Sequence, residues 1–78
     1  MTAHENDLAT DAIVYCELTA HETVLFTKLI GDVFSPCAPF YGFTQAKMAL
    51  ATMGLPYDGV KRMLNAIELV QKWDKETP

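Results

Sequence analysis

The chain has 78 residues, a length that fits a single domain spanning residues 1–78. Half of the residues are hydrophobic, which is a large share for so small a monomer, and we therefore expect a homodimer or other homo-oligomer to cover part of the apolar surface. The formal net charge is −4, with 10 acidic residues against 6 basic ones. This balance disfavours a protein that binds nucleic acid mainly through its phosphates.

The distribution of charge and the length of the apolar runs also indicate the cellular compartment of the protein. Residues 1–43 contain six acidic residues and a single lysine, so the acidic charge is concentrated in the first half. No apolar run is long enough to span a bilayer, and the polar, acidic N-terminus does not resemble a signal peptide. We therefore expect a cytoplasmic protein that does not enter a membrane, with Cys16 and Cys37 as reduced thiols.

Two copies of a four-residue motif predict the first two helices. Thr2-Ala3-His4-Glu5 recurs as Thr19-Ala20-His21-Glu22, and Thr-x-x-Glu is the spacing of a capping box at a helix start. The first helix is predicted over residues 3–18 and the second over residues 20–34, where Ser35-Pro36 ends it. The apolar stripe of the first helix contains Leu8, Ala12, Ile13, Tyr15 and Cys16. The stripe of the second contains Phe26, Leu29, Ile30, Val33 and Phe34.

An aromatic connector follows at residues 35–43. Its two prolines and one glycine exclude a regular helix, whereas Phe40, Tyr41 and Phe43 are unusually apolar for a loop. The rings could fold back over the core as a lid. Alternatively, they could form a platform for a partner, because aromatic side chains contribute strongly to interfaces.

Two further helices are predicted in the second half. The third starts with Thr44 as N-cap and ends at Met53 before Gly54, with Phe43 and Met48 forming a hydrophobic staple. The fourth starts at Pro56 or Asp58 and runs to about residue 73. Its core stripe comprises Tyr57, Val60, Met63, Leu64, Ile67 and Val70. A second apolar line comprises Ala66, Leu69 and Trp73, which we interpret as a subunit interface, the alternative being a wide intramolecular core.

The reactive side chains lack the spacing of known catalytic or metal sites. His4, His21, Cys16 and Cys37 form neither a Cys-x-x-Cys nor a His pair four residues apart. The six carboxylates of the first half are spaced like those of a solvated helix surface. We therefore expect no metal, no cofactor and no enzymatic activity.

Residues 44–65 suggest a second class of function. Thr44-Gln45 opens a short helix, Met53-Gly54-Leu55 makes a turn, and Val60 and Met63 occupy buried positions in the next helix. This order resembles the helix-turn-helix unit of the Cro and phage repressor family. The resemblance implies that Tyr57, Lys61 and Arg62 face the DNA groove, beside Asp58, whose charge would repel phosphates.

The sequence favours an all-α bundle of about four helices that acts by binding another protein, as a regulator, inhibitor or adaptor, including phage-type accessory proteins. The proposed contact residues are Phe40, Tyr41, Phe43, Leu69 and Trp73, with Asp7, Asp11 and Glu17 steering a basic partner. Two alternatives remain. The chain could regulate transcription through residues 44–65. It could also bind a nucleotide or other flat ligand at a subunit interface by stacking on Tyr41 or Tyr57.

Overall fold

The computed structural model describes residues 3–35 and 42–76 as four α-helices packed on one another. They are α1 (Ala3–Tyr15), α2 (Ala20–Phe34), α3 (Phe43–Ala51) and α4 (Tyr57–Glu76). No strand occurs in these two ranges, which confirms the all-α prediction. The predictions made for Thr2, Cys37, Phe40 and Tyr41 lie outside the described residues. No helix of the described part is long and apolar enough to cross a membrane.

The longest helix, α4, contacts all three others. It buries Met63, Ala66, Ile67 and Val70 almost completely, as the 3.6-residue periodicity of its sequence requires. The facing helices contribute the rest of the core, namely Ala9, Ala12, Phe26, Leu29, Ile30, Ala46 and Leu50. The core therefore lies between one face of α4 and the other three helices.

The first helix ends three residues earlier than predicted. Glu17 adopts a left-handed conformation with φ of 55°, and its N–H donates to the carbonyl of Val14 at 3.2 Å. The N–H of Leu18 donates to the carbonyl of Ile13, also at 3.2 Å. These two bonds form a Schellman motif, in which Leu18 and Ile13 both pack against the core. The prediction that α1 continues to Leu18 is wrong because this motif reverses the chain.

The second helix has the predicted bounds. Thr19 accepts a hydrogen bond on its hydroxyl from the Glu22 N–H, and the Thr19 N–H donates to the Glu22 carboxylate, both at 3.1 Å. This reciprocal pair confirms the capping box. At the other end Ser35 is extended, the conformation favoured before a proline.

The third helix begins at Phe43 with Gly42 as its N-cap, so the prediction that Thr44 caps it is wrong. Phe43 packs edge-on against Phe34, with ring centroids 5.6 Å apart, whereas Met48 is 58% exposed. The predicted staple between Phe43 and Met48 is therefore also wrong, because the aromatic ring docks on α2 instead. The helix ends at Ala51 rather than residue 53, and Gly54 follows with φ of 73°.

The fourth helix begins at Tyr57 directly after Pro56, whose carbonyl accepts from the Val60 N–H at 3.0 Å. It extends to Glu76, beyond the predicted end. Tyr57 is 75% exposed, so its assignment to the core stripe is wrong. In the second apolar line, Ala66 is completely buried and Trp73 packs against the core. The wide intramolecular core accounts for these two residues, and no subunit interface is needed to cover Ala66.

Candidate functional site

Two grooves lie beside α4 and share Arg62. The α1–α4 groove encloses about 470 Å³ and is lined by Tyr15, Cys16, Arg62, Asn65, Glu68, Leu69 and Lys72. The α2–α4 groove encloses about 330 Å³ and is lined by Thr19, His21, Glu22, Leu25, Leu55, Pro56, Asp58, Gly59, Arg62 and Met63. The two differ in chemistry: the first is open and largely apolar, whereas the second is organised around an ion pair.

The α1–α4 groove follows the length of α4. Arg62, Asn65, Leu69 and Lys72 are three or four residues apart, which places them in one row along the helix. At a rise of 1.5 Å per residue this row is roughly 15 Å long, or nearly three helical turns. Leu69 is half-buried in the row, and the exposed Lys72 lies at its edge. The groove therefore has the length to hold a short helical segment.

Tyr15 forms the aromatic wall of the α1–α4 groove. Its side chain is 73% exposed, although the sequence pattern had assigned it to the core stripe of α1. The ring meets Trp73 edge-on, with centroids 6.3 Å apart and planes at 88°. This T-shaped contact fixes the ring while leaving most of its surface to solvent.

The outer face of α1 is acidic. Asp7, Asp11 and Tyr15 are spaced four residues apart and are all exposed, so they form one row leading to the groove. Glu17, also exposed, follows at the carbonyl end of the helix. Helix α1 contains neither lysine nor arginine. The negative charge of α1 therefore lies beside the groove, whose own lining on this side is Tyr15 and Cys16.

Cys16 contributes a thiol to the α1–α4 groove. It is a free cysteine and half-buried, and its burial raises the pKa of the thiol above the ordinary value. A thiol with a raised pKa is protonated at neutral pH and is a poor nucleophile. Cys16 therefore acts here as a small apolar group rather than as a reactive one.

An ion pair between Glu22 and Arg62 joins α2 to α4 across the second groove. The Arg62 Nε donates to Oε1 of Glu22 at 3.0 Å, and Nη2 donates to Oε2 at 2.6 Å. The hydrogen bonds from Arg62, aided by the Thr19 N–H, lower the pKa of Glu22 to about 2 although burial acts to raise it. Glu22 is only 9% exposed, so its assignment to a solvated helix surface is wrong.

Gly59 makes room for this carboxylate. A Cβ at position 59 would lie 2.7 Å from Oε2 of Glu22, which is closer than atoms of this kind can approach. The sequence offered no local signal for the cluster, since 40 residues separate Glu22 from Arg62. Glu22 and Arg62 neutralise each other, so neither charge is free to bind a ligand. The ion pair therefore serves to hold α2 against α4.

The residues proposed for DNA contact are only partly available. Tyr57 and Lys61 are exposed and lie four residues apart on α4. Arg62, in contrast, is half-buried and its guanidinium is bound to Glu22. A phosphate would have to displace that carboxylate to reach Arg62.

The residues proposed for partner binding are divided among different places. Leu69 lines the α1–α4 groove, and Trp73 contacts its Tyr15 wall. Phe43 lines neither groove and instead contacts Phe34.

Sequence reasoning missed Tyr15 as a surface residue because its position at the edge of an apolar stripe is compatible with burial or exposure.

Comparison with known proteins identifies no relative of this chain. No protein family model matches the chain, and no curated protein or solved structure is significantly similar to it. Within residues 3–35 and 42–76, no three or more His, Cys, Asp or Glu side chains are grouped so that they could hold a metal ion.

Proposed function

We propose that this protein is an interaction module that holds a helix of another protein in its α1–α4 groove. The observation that carries the proposal is the position of Tyr15, a largely exposed aromatic ring fixed against Trp73 at the edge of an open apolar groove. Tyrosine and tryptophan are enriched among the residues that dominate binding energy at interfaces. A solvent-exposed ring that is already held in place loses little conformational entropy on binding.

The shape of the groove supports a helical ligand. Its row of α4 side chains extends for nearly three helical turns, with Leu69 at an interior position and Lys72 at the edge. An amphipathic helix binds in such a groove through apolar residues at i, i+3, i+4 and i+7. The lining combines the apolar Tyr15, Cys16 and Leu69 with polar and charged side chains, as protein interfaces commonly do.

The charge of α1 favours a basic partner. Asp7, Asp11 and Glu17 are all exposed, and α1 contains no lysine or arginine to offset them. Such a surface accelerates the encounter with a positively charged protein, an effect that falls with ionic strength. The partner we expect is therefore a protein with a basic amphipathic helix.

Replacing Tyr15 provides the direct test. Tyr15→Ala is expected to weaken binding of the partner in a lysate of the source cells by about thirtyfold or more, since truncating an interface aromatic costs upwards of about 2 kcal/mol. Tyr57→Ala is the matched control, because Tyr57 is equally exposed, at 75% against 73%, and lines neither groove. Quantitative pull-down measures how much partner each variant captures, and circular dichroism verifies that each variant is folded.

The control also separates the proposal from its alternatives. Equal loss in both variants, or loss only in Tyr57→Ala, would contradict binding in the α1–α4 groove. A DNA-binding function would show in fluorescence anisotropy with duplex DNA as binding that weakens steeply between about 50 mM and about 200 mM salt and is abolished by Lys61→Ala. A nucleotide-binding function would show as a thermal shift with nucleotides.

A further inference from the structure

We propose that two copies of this chain exchange α1 by straightening the turn at Glu17, so that α1 of each copy packs on α4 of the other in a domain-swapped dimer. The inference goes beyond the proposed function and does not depend on it. Each α1–α4 groove keeps the same lining whether its two helices come from one chain or from two. In the dimer, Tyr15 and Cys16 of one copy line a groove together with Leu69 of the other.

The turn between α1 and α2, residues 16–19, has a sequence that suits a continuous helix. Residues 1–30 contain neither glycine nor proline, the two residue types that most often end a helix. Within the described parts of the chain, Glu17 is nevertheless the one non-glycine residue with a positive φ, at 55°. A residue with a Cβ is strained in that left-handed conformation, and the strain is relieved if Glu17 becomes helical. The turn is therefore a strained hinge.

Straightening the hinge exchanges one set of hydrogen bonds for another. The Schellman bonds donated by the N–H groups of Glu17 and Leu18 are lost, as are the capping-box bonds of Thr19. Regular helical bonds through the former turn replace them. The Glu22 carboxylate keeps its two bonds from Arg62, because these join α2 to α4 of the same chain. The contacts among α2, α3 and α4 therefore stay within each copy.

The position of α1 makes the exchange possible. Helix α1 packs chiefly on α4 and has fewer contacts with α2, to which the hinge connects it. A continuous helix over residues 3–34 is roughly 48 Å long, whereas the structure measures 34 Å along its longest axis. Straightening therefore carries α1 away from its own α4 and exposes the buried Ala12 and Ala66. A second copy in the same state covers both alanines with the same helices that cover them in the monomer, and the exchange is reciprocal under two-fold symmetry.

Refolding at high concentration tests the exchange. Refolded from urea at about 500 μM and in about 150 mM salt, which screens repulsion between the acidic copies, the full chain is expected to give a dimer. Glu17→Gly should raise the dimer dissociation constant about tenfold or more, because glycine favours the left-handed turn and disfavours the continuous helix at both hinges. Glu17→Ala is the matched control and should dimerise like the wild type, since it keeps the Cβ. Size-exclusion chromatography after refolding at a series of concentrations measures these constants.

The contact between Tyr15 and Trp73 shows whether the dimer is swapped. Their ring centroids are 6.3 Å apart, which brings ring protons close enough for a nuclear Overhauser effect. In a dimer refolded from a mixture of isotope-labelled and unlabelled chains, an isotope-filtered spectrum should detect this effect between the two copies, because α1 has been exchanged. A wild-type chain that stays monomeric, or a dimer without the intermolecular effect, would overturn the proposal. A Glu17→Gly variant that dimerises as well as Glu17→Ala would overturn it too, because the hinge would then not control the exchange.

Discussion

At the scale of single residues, Glu17 occupies a position that suits glycine. Its φ of 55° lies in the left-handed region, which costs a residue with a Cβ about 1–2 kcal/mol. Its carboxylate also lies at the C-terminal end of α1, where the helix dipole is negative. The Schellman bonds of Glu17 and Leu18 persist in spite of both effects because Leu18 packs against the core.

We therefore expect Glu17→Gly to stabilise the protein. Removal of the Cβ relieves the backbone strain, and the net gain after the added freedom of the unfolded chain is about 0.5–1 kcal/mol in the free energy of unfolding. Urea denaturation measures the change. Glu17→Ala is the control, since it removes the charge but keeps the Cβ, and an equal gain in both variants would assign the effect to charge alone.

Glu22 gives the fold a dependence on pH. Its pKa is about 2 in the folded protein against an ordinary value of 4.5, so the folded state binds this proton more weakly than the unfolded chain does. The stability contributed by the ionised carboxylate is complete above pH 4.5 and is lost as the pH falls through about 2. Glutamine at this position has the same shape but does not ionise, so the variant Glu22→Gln cannot show this dependence on pH.

Comparison of the wild type with Glu22→Gln across that range isolates the effect. We expect the variant to be less stable at neutral pH, because the charged hydrogen bonds to Arg62 are lost, and the difference to shrink as the pH approaches 2. Chemical denaturation at a series of pH values measures it. A difference that is the same at every pH would show that the carboxylate is not ionised against Arg62 in the folded state.

At the scale of helices, one carboxylate links the start of α2 to the side of α4. Glu22 completes the capping box with Thr19 and at the same time receives both hydrogen bonds from Arg62. Both contacts hold the same carboxylate, and its Oε2 occupies the space that a Cβ at position 59 would need. The helix start and the packing of the two helices are therefore coupled.

Gly59→Ala tests this coupling. In an ordinary helix interior the substitution stabilises by about 0.5–1 kcal/mol, but here we expect a loss of about 1–2 kcal/mol because the new Cβ displaces the Glu22 carboxylate. In a Glu22→Ala background the obstruction is gone, and Gly59→Ala should stabilise as helix propensity predicts. A Gly59→Ala change with the same sign and size in both backgrounds would exclude the coupling.

At the scale of the whole molecule, α1 and α4 are in direct contact, and each helix buries a small residue. Ala12 on α1 and Ala66 on α4 are both completely buried. A protein of this size has a free energy of unfolding of roughly 4–12 kcal/mol, so the energetic cost of disturbed packing at either buried alanine is a large fraction of the total. The position of α1 also sets the width of the α1–α4 groove.

Ala66→Leu is accordingly expected to destabilise the protein by about 1–3 kcal/mol, because the larger side chain forces α1 outward. The same displacement should separate Tyr15 from Trp73 and change the tryptophan fluorescence. Ala51→Leu, at an exposed position on α3, is the matched control and should change neither property. If Ala66→Leu is as stable as the control variant, α1 does not pack against α4 at this residue.

The local signals in the sequence were sufficient for the helices themselves. The periodicity of α2 and the capping residue Thr19 located both of its ends, because a cap and a proline act within a few residues along the chain. The same reasoning failed at the end of α1, near Glu17, and at the start of α3, at Phe43. The first is set by the packing of Leu18 against the core, and the second by the packing of Phe43 on Phe34 of α2.

Contacts between distant residues were decided only by the tertiary structure. Tyr15 and Tyr57 both continue an apolar stripe in the sequence, and periodicity alone does not reveal which edge of a stripe a neighbouring helix covers. The pairing of Glu22 with Arg62 joins residues 40 positions apart and leaves no pattern in either segment. The sequence by itself therefore determined four helices and an acidic first half, whereas only packing decided which aromatic ring remained exposed and which charges were neutralised, since burial depends on neighbours that are remote along the chain.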